Sequence, residues 1–197
     1  MEIALTFDDG PSQATPAVLD LLAKHEARAT FFVIGEAIEG RREVLERIVH
    51  DGHELGNHTW SHPRLASECD DRRVRAELAR TNDAVRDVVA LELRRFRAPY
   101  YDVDARVAAV AEGIGLRHSR ATVAPPDWST NLRGTVVSTL VLGQLQPGAI
   151  VGLHDGAPAD EGGAAADRSN LLDALRIILP RLAETGVASV TLSELEG

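Results

Sequence analysis

The chain lacks most of the features that would settle a function class early. It has one cysteine, Cys69, in 197 residues, so no internal disulfide forms and the redox compartment stays open. Cys69 reads as a bland, partly buried residue. No apolar run approaches the roughly 18–20 residues needed to span a bilayer, which excludes a transmembrane segment. Basic residues are outnumbered: 21 Lys and Arg stand against 30 Asp and Glu, for a net charge of −9. That balance argues against a nucleic-acid partner, because a phosphate backbone wants a basic face. It suits a neutral or cationic substrate. No signal peptide precedes Met1-Glu2-Ile3, which already belongs to a strand, so the chain as written is expected to be cytoplasmic. A trimmed catalytic domain of a secreted protein would look the same. There is no internal repeat.

What is present is an ordinary globular composition, 44% hydrophobic and 26% charged, at a length that suits one domain with a sizeable core. Apolar runs alternate with helical patterns. Strands are expected at Ile3–Phe7, Ala29–Ile34, Glu54–Gly56, Arg95–Arg97, Leu116–Thr122, Ala149–Leu153 and Val187–Thr191. Helices are expected at Pro16–Lys24, Arg42–His50, Asp70–Val89, Asp104–Glu112, Thr135–Leu145 and Asn170–Glu184. This alternation means βαβ units and a parallel sheet. Seven or so units favour an α/β fold closed into a deformed parallel (β/α)7-8 barrel over an open sheet. The stretch Ala157–Asp167, rich in Ala, Gly and Asp, reads as a mobile loop.

The chemistry sits where the apolar runs stop. Asp8 and Asp9, His58 and His62, Arg97, Asp127 and His154 all fall just after strands, and in parallel β/α folds those ends share the ligand-binding face. His58 and His62 are four apart, so one helical turn would put both on one side, about 5–6 Å apart at Cβ. With Asp9 they make a two-histidine, one-carboxylate metal set that leaves positions open for water and substrate. A cation there also makes the neighbouring Asp8 and Asp9 charges tolerable. Asp8 is then free to act as general base, with Arg97 to hold it. His154 reads as the general acid for a leaving amine, oriented by Asp127. Pro99, Trp128 and Leu153 are expected in the substrate pocket, where they exclude water from a small acyl group. The bland alternatives are a turn for Asp-Asp-Gly-Pro, capping histidines for the pair, and a buried structural histidine for His154. His25 and His50 suit helix ends, and His53 and His118 read as structural.

The motifs Thr6-Phe7-Asp8-Asp9-Gly10-Pro11, His58-Thr59-Trp60-Ser61-His62, Arg97-Ala98-Pro99-Tyr100, Asp127-Trp128 and Leu153-His154-Asp155 occur in an order that resembles the NodB-type polysaccharide deacetylases (carbohydrate esterase family 4). The resemblance spans nearly the whole chain. It implies one catalytic domain over residues 1–197 with a deformed β/α barrel. It also implies metal-dependent removal of acetyl from N-acetylglucosamine units, or from acetylated xylan. Position by position, it implies Asp8 as base and Asp9, His58 and His62 as metal ligands. Arg97 holds the base and the backbone N–H of Tyr100 donates to the oxyanion. Asp127 and His154 form the acid pair, with Trp128 and Leu153 in the pocket. Zinc is the default divalent ion, and cobalt, nickel or iron would fit the same ligands. Two positions depart from the pattern. Tyr101 stands where the family commonly has glycine, implying a narrower substrate groove, and Ala124 stands where it usually has aspartate. Competing readings are an acetylxylan esterase, a hydrolase of a cyclic ureide or imide, a non-catalytic carbohydrate-binding module, and an iron–oxygen site. The glycan, its chain length and the oligomeric state are left open.

Overall fold

The computed structural model describes residues 1–129, 131–159 and 166–197. Its elements run β1 (Glu2–Gly10), α1 (Thr15–Lys24), β2 (Ala29–Val33), α2 (Arg42–His50), β3 (Glu54–Asn57), α3 (Leu65–Glu68), α4 (Asp71–Val89), β4 (Arg95–Phe96), α5 (Ala105–Glu112), β5 (Arg117–His118), α6 (Gly134–Leu142), β6 (Ile150–His154), α7 (Ser169–Glu184), β7 (Ala188–Ser189) and α8 (Leu192–Glu196). The strands pair in the order β5-β4-β3-β2-β1-β6, with β7 on the start of β1. Every pairing among the described residues is parallel. Val123 bridges to Val151 in β6, so the segment after β5 reaches the opposite edge. The expected strand Leu116–Thr122 is therefore two short contacts with a bend between them. The result is the α/β fold anticipated, a curled sheet forming a distorted β/α barrel.

Side-chain alternation sorts each strand into two faces. Ile3, Leu5 and Phe7 of β1, Phe31 and Val33 of β2, Phe96 of β4, and Val151 and Leu153 of β6 belong to the core between sheet and helices. The helices answer with apolar stripes such as Val18, Leu19 and Leu22 on α1 and Val74, Leu78 and Val85 on α4. Ala4 and Phe32 face the barrel interior, where Leu192 packs on them. Leu192 opens α8, which closes the N-terminal end of the barrel. Thr191 and Glu194 start that helix with a reciprocal capping box. The helix takes residues that follow the expected strand Val187–Thr191, because a five-residue element offers too little periodicity to read. Glu54, Arg95, Arg117 and Glu196 tie this end together by ion pairs.

Cys69 is buried and unpaired. No helix of the described residues is long and apolar enough to cross a membrane. Of the loop expected at Ala157–Asp167, residues 160–165 lie outside the described residues. Truncating the plug, Leu192→Ala, is expected to lower stability by about 2–5 kcal/mol, as for other buried leucines, read as a shift of the denaturant midpoint at unchanged slope.

Candidate active site

Alternation along β1 accounts for Asp8, which points inward like Thr6. It does not account for Asp9, which should point the other way. The pairing of β1 with β2 shifts register between Asp8 and Gly10, and Asp9 takes φ 71°. This bulge turns the second carboxylate onto the same face as the first. Both are buried, at 3% and 6% exposure.

The histidine pair arrives by a different route from the one expected. His58 to His62 is not a helical turn. It is a loop in which Thr59 and His62 adopt φ 70° and 60°. The loop is held by Asn57 Oδ1, which accepts from Thr59 N, and by Glu77, which accepts from the backbone of Trp60 and Ser61. The two imidazoles still converge, with ring centroids 5.1 Å apart. His58 Nε2 and His62 Nε2 each lie 3.2 Å from Asp9 Oδ1. One ligand atom from each of the three residues falls within 4.8 Å of the others.

The donor set fits a cation. His58 Nδ1 is 2.8 Å from the Arg97 carbonyl oxygen, an acceptor only, so Nδ1 carries the proton and Nε2 of the neutral ring presents a lone pair towards Asp9. Asp9 Oδ1 is buried and makes no hydrogen bond of acceptable geometry. Lone pairs that face each other in a buried site need a positive ion between them. Burial works to raise the Asp9 carboxyl; where no ion is bound, protons on the two facing imidazoles and the charge of His154 outweigh it and hold Asp9 well below the ordinary carboxylate range.

Beneath this set lies Arg97, fully buried. Its Nη1 donates to Asp8 Oδ1 at 2.9 Å and to Thr6 Oγ1 at 2.7 Å. Its guanidinium lies over the Phe32 ring at 4.2 Å. Across the cleft, Asp127 grips His154 twice, accepting from its backbone N–H and from Nδ1, both at 2.8 Å. Burial lowers the His154 pKa, but the Asp127 charge and hydrogen bond, with Asp9 and Asp8 behind them, raise it to about 9. The ring is thus an imidazolium at neutral pH, and Trp128 stands edge-on to it at 4.8 Å.

Asp8, Asp9, His58, His62, Trp128 and His154 line a cavity of about 390 Å³, with Arg97 and Asp127 behind them. Tyr100 and Trp128, each about half exposed, stand at its mouth. Leu153 and Pro99 are placed elsewhere: both are buried, and neither lines the cavity. Leu153 neighbours His154 in β6, so it must face the helices when His154 faces the cleft. Ala98, Tyr101 and Ala124 line the cavity in their stead.

Three residues carried no role in the sequence reading. Arg64 lies 4.0 Å over the Tyr100 ring. Arg168 donates to the Gly156 carbonyl through Nε at 2.9 Å and again through Nη2. No periodicity marks either. Asp155 was visible only as part of its motif. It is buried beneath Gly10, accepts from Thr15 Oγ1 at 2.5 Å, and donates its N–H to the Asp8 carbonyl at 3.1 Å. Asp155 thus fastens the loop after β6 to the strand end that carries both carboxylates.

Burial, opposed by the Thr15 hydrogen bond and helped by the Asp9 and Asp8 charges, raises the Asp155 pKa from 3.8 to about 7. Between those values the folded chain keeps a proton that the unfolded chain has lost, so stability falls as pH rises through this window. Asp155→Asn is expected to remove that slope in the metal-free protein. Above pH 7 the variant should melt higher than the parent, by the equivalent of a few kcal/mol. Melting curves from pH 4 to pH 8 test this, and parallel curves for the two proteins would refute it.

Comparison with known proteins agrees with this geometry. The sequence profile described as Polysaccharide deacetylase matches residues 1–119. A chitooligosaccharide deacetylase of Bradyrhizobium is 40% identical over 189 residues, covering 93% of this chain and 85% of that protein. The peptidoglycan deacetylase PdaC of Bacillus subtilis superposes with a TM-score of 0.86 at 29% identity, over 98% of this chain and 89% of that one. A family 4 acetyl xylan esterase of Clostridium thermocellum, solved in complex with a cobalt ion, gives 0.88 at 30%, over 99% and 90%. The chain belongs to the polysaccharide deacetylases, the NodB-type branch of carbohydrate esterase family 4.

Proposed function

We propose that the chain is a single catalytic domain that hydrolyses the acetamido bond of N-acetylglucosamine-containing oligosaccharides, releasing acetate and a free amine. The observation that carries this reading is the opposition across one cleft: Asp9 Oδ1 between two imidazole Nε2 atoms on one side, and the His154 imidazole gripped by Asp127 on the other. The curated relative named as a chitooligosaccharide deacetylase supports the choice of substrate.

Asp9, His58 and His62 would hold a divalent ion, zinc by preference for this N/O donor set and hydrolytic chemistry. Such an ion polarises the acetyl carbonyl and acidifies a water molecule. Asp8, oriented by Arg97, takes one proton from the attacking water as its oxygen bonds to the acetyl carbon. The Tyr100 N–H donates to the carbonyl oxygen as negative charge gathers there. His154 gives its proton to the nitrogen while the carbon–nitrogen bond breaks. Tyr100 and Trp128 offer flat, exposed faces at the mouth for the sugar.

The state of His154 favours an amide over an ester. An amine cannot leave without a proton, and a histidine raised to about 9 holds one ready, whereas an alcohol needs less help.

Acetate release from chitooligosaccharides is therefore expected to exceed release from acetylxylan, to vanish with chelator, and to return with zinc. Equal release from both substrates, or release that chelation does not touch, would overturn the reading. Asp8→Asn should lower kcat by about 10²–10⁴ while metal content by mass spectrometry stays at the parent level. His62→Ala should lose the metal itself. On the alkaline side, activity should fall as pH rises through the His154 pKa, because the acid must be protonated to act.

A further inference from the structure

The inner end of the cleft is closed by Tyr101, a residue with no part in the chemistry above. Its side chain is half-buried and lines the same cavity as Asp8, Trp128 and His154. The Ala121 backbone hydrogen-bonds the phenol, and Arg120 lies 5.5 Å from the ring centroid. The hydroxyl points at β6. A Cβ placed on Gly152 would lie 3.2 Å from it, 2.9 Å from the Ala121 Cβ and 3.8 Å from Arg97 Nη1. A side chain at 152 and the tip of Tyr101 therefore compete for one space at the inner wall, and this chain fills that space from position 101.

Filling it carries a backbone cost. Tyr101 has φ 54°, directly after Tyr100 at 56°, in the left-handed region that favours glycine. Strain of this kind persists where the surrounding structure holds the residue for a purpose. The groove is narrowed at its floor rather than at its mouth.

The geometry of the proposed reaction says what the floor would touch. The sugar lies in the open mouth between Tyr100 and Trp128, and its nitrogen faces His154. The acetyl carbon lies within reach of Asp8. The methyl group then points inward, towards Tyr101, Ala98 and Ala124. We propose that Tyr101 is a specificity-determining residue, whose side chain forms the inner wall of the acyl pocket and limits the substrate to a two-carbon acyl group. This inference rests on the deacetylase reading. Removal of the phenol ring would join the cleft to the space beside Gly152 and Ala121, with room for further methylenes.

The test compares kcat/KM on N-acetyl, N-propionyl and N-butyryl forms of one chitooligosaccharide. Tyr101→Gly removes the wall and relieves the backbone. Tyr101→Asn removes it with a residue that tolerates the left-handed conformation, and so serves if the glycine variant does not fold. Tyr101→Phe keeps the ring. The parent should prefer acetyl to butyryl by about tenfold or more, the scale on which pockets discriminate added methylenes. The glycine and asparagine variants should move that ratio towards butyryl by about tenfold, and the phenylalanine variant should hold it within about threefold. An unmoved ratio in a parent and variants that all release acetate sinks this inference alone, as does a parent that accepts butyryl as readily as acetyl. A parent that releases no acetate from any chitooligosaccharide sinks the deacetylase reading and this inference with it.

Discussion

The site depends on a buried arginine. Two adjacent carboxylates at the end of a buried strand repel each other and lose their hydration, and either effect alone would drive a proton onto one of them. Arg97 enters the barrel from the end of β4 and neutralises Asp8 from below, its Nη1 shared between Asp8 and Thr6 and its guanidinium over the Phe32 ring. Asp9 is left to the two imidazoles. Each carboxylate thus has its own positive partner or partner site, which keeps base and ligand distinct although they are neighbours in the chain. Removal of Arg97 would leave Asp8 buried and uncompensated, a far larger penalty than the net worth of the pair itself.

The rest of the barrel mouth is organised to hold this arrangement still. The Arg97 carbonyl fixes the tautomer of His58, so one residue serves the base through its side chain and a metal ligand through its backbone. Asp155 and Arg168 pin the loop after β6 against the Asp8–Asp9 backbone. Asp127 does the same for His154 from the segment after β5. Apolar packing sits elsewhere, between sheet and helices and at the Leu192 plug, so the polar end is carried on a rigid frame and does not itself supply the core.

Backbone strain gathers at the same end. Asp9, Thr59, His62, Tyr100 and Tyr101 all have positive φ without being glycine. At about 1–3 kcal/mol each, such residues are tolerated only where neighbouring structure over-determines them. At Asp9 and His62 the bend brings a metal-ligating side chain into the cleft, and at Thr59 it shapes the loop that carries His62.

Much of this was readable in the amino-acid order. Strand–helix alternation follows from hydrophobic periodicity, so the parallel barrel was legible, and the rule that strand ends share a face already gathered Asp8, His58, Arg97 and His154. Periodicity failed where elements are too short to repeat, as at α8 and the split strand at Arg117–His118. Local rules failed where the chain breaks them. The spacing of His58 and His62 suggested a helical turn, and the loop that replaces it reaches the same end through left-handed residues. Leu153 was expected beside its sequence neighbour His154, and strand alternation sends it to the opposite face. The amino-acid order by itself therefore determined which groups the chemistry has at its disposal and at which end of the barrel they lie, because composition and periodicity are local properties. Only the tertiary structure decided which way each group points, that Tyr101 rather than Pro99 or Leu153 walls the cleft, and that Asp155 and Arg168 brace it. Those outcomes depend on bulges, positive φ angles and contacts between segments more than a hundred residues apart, which no local pattern encodes.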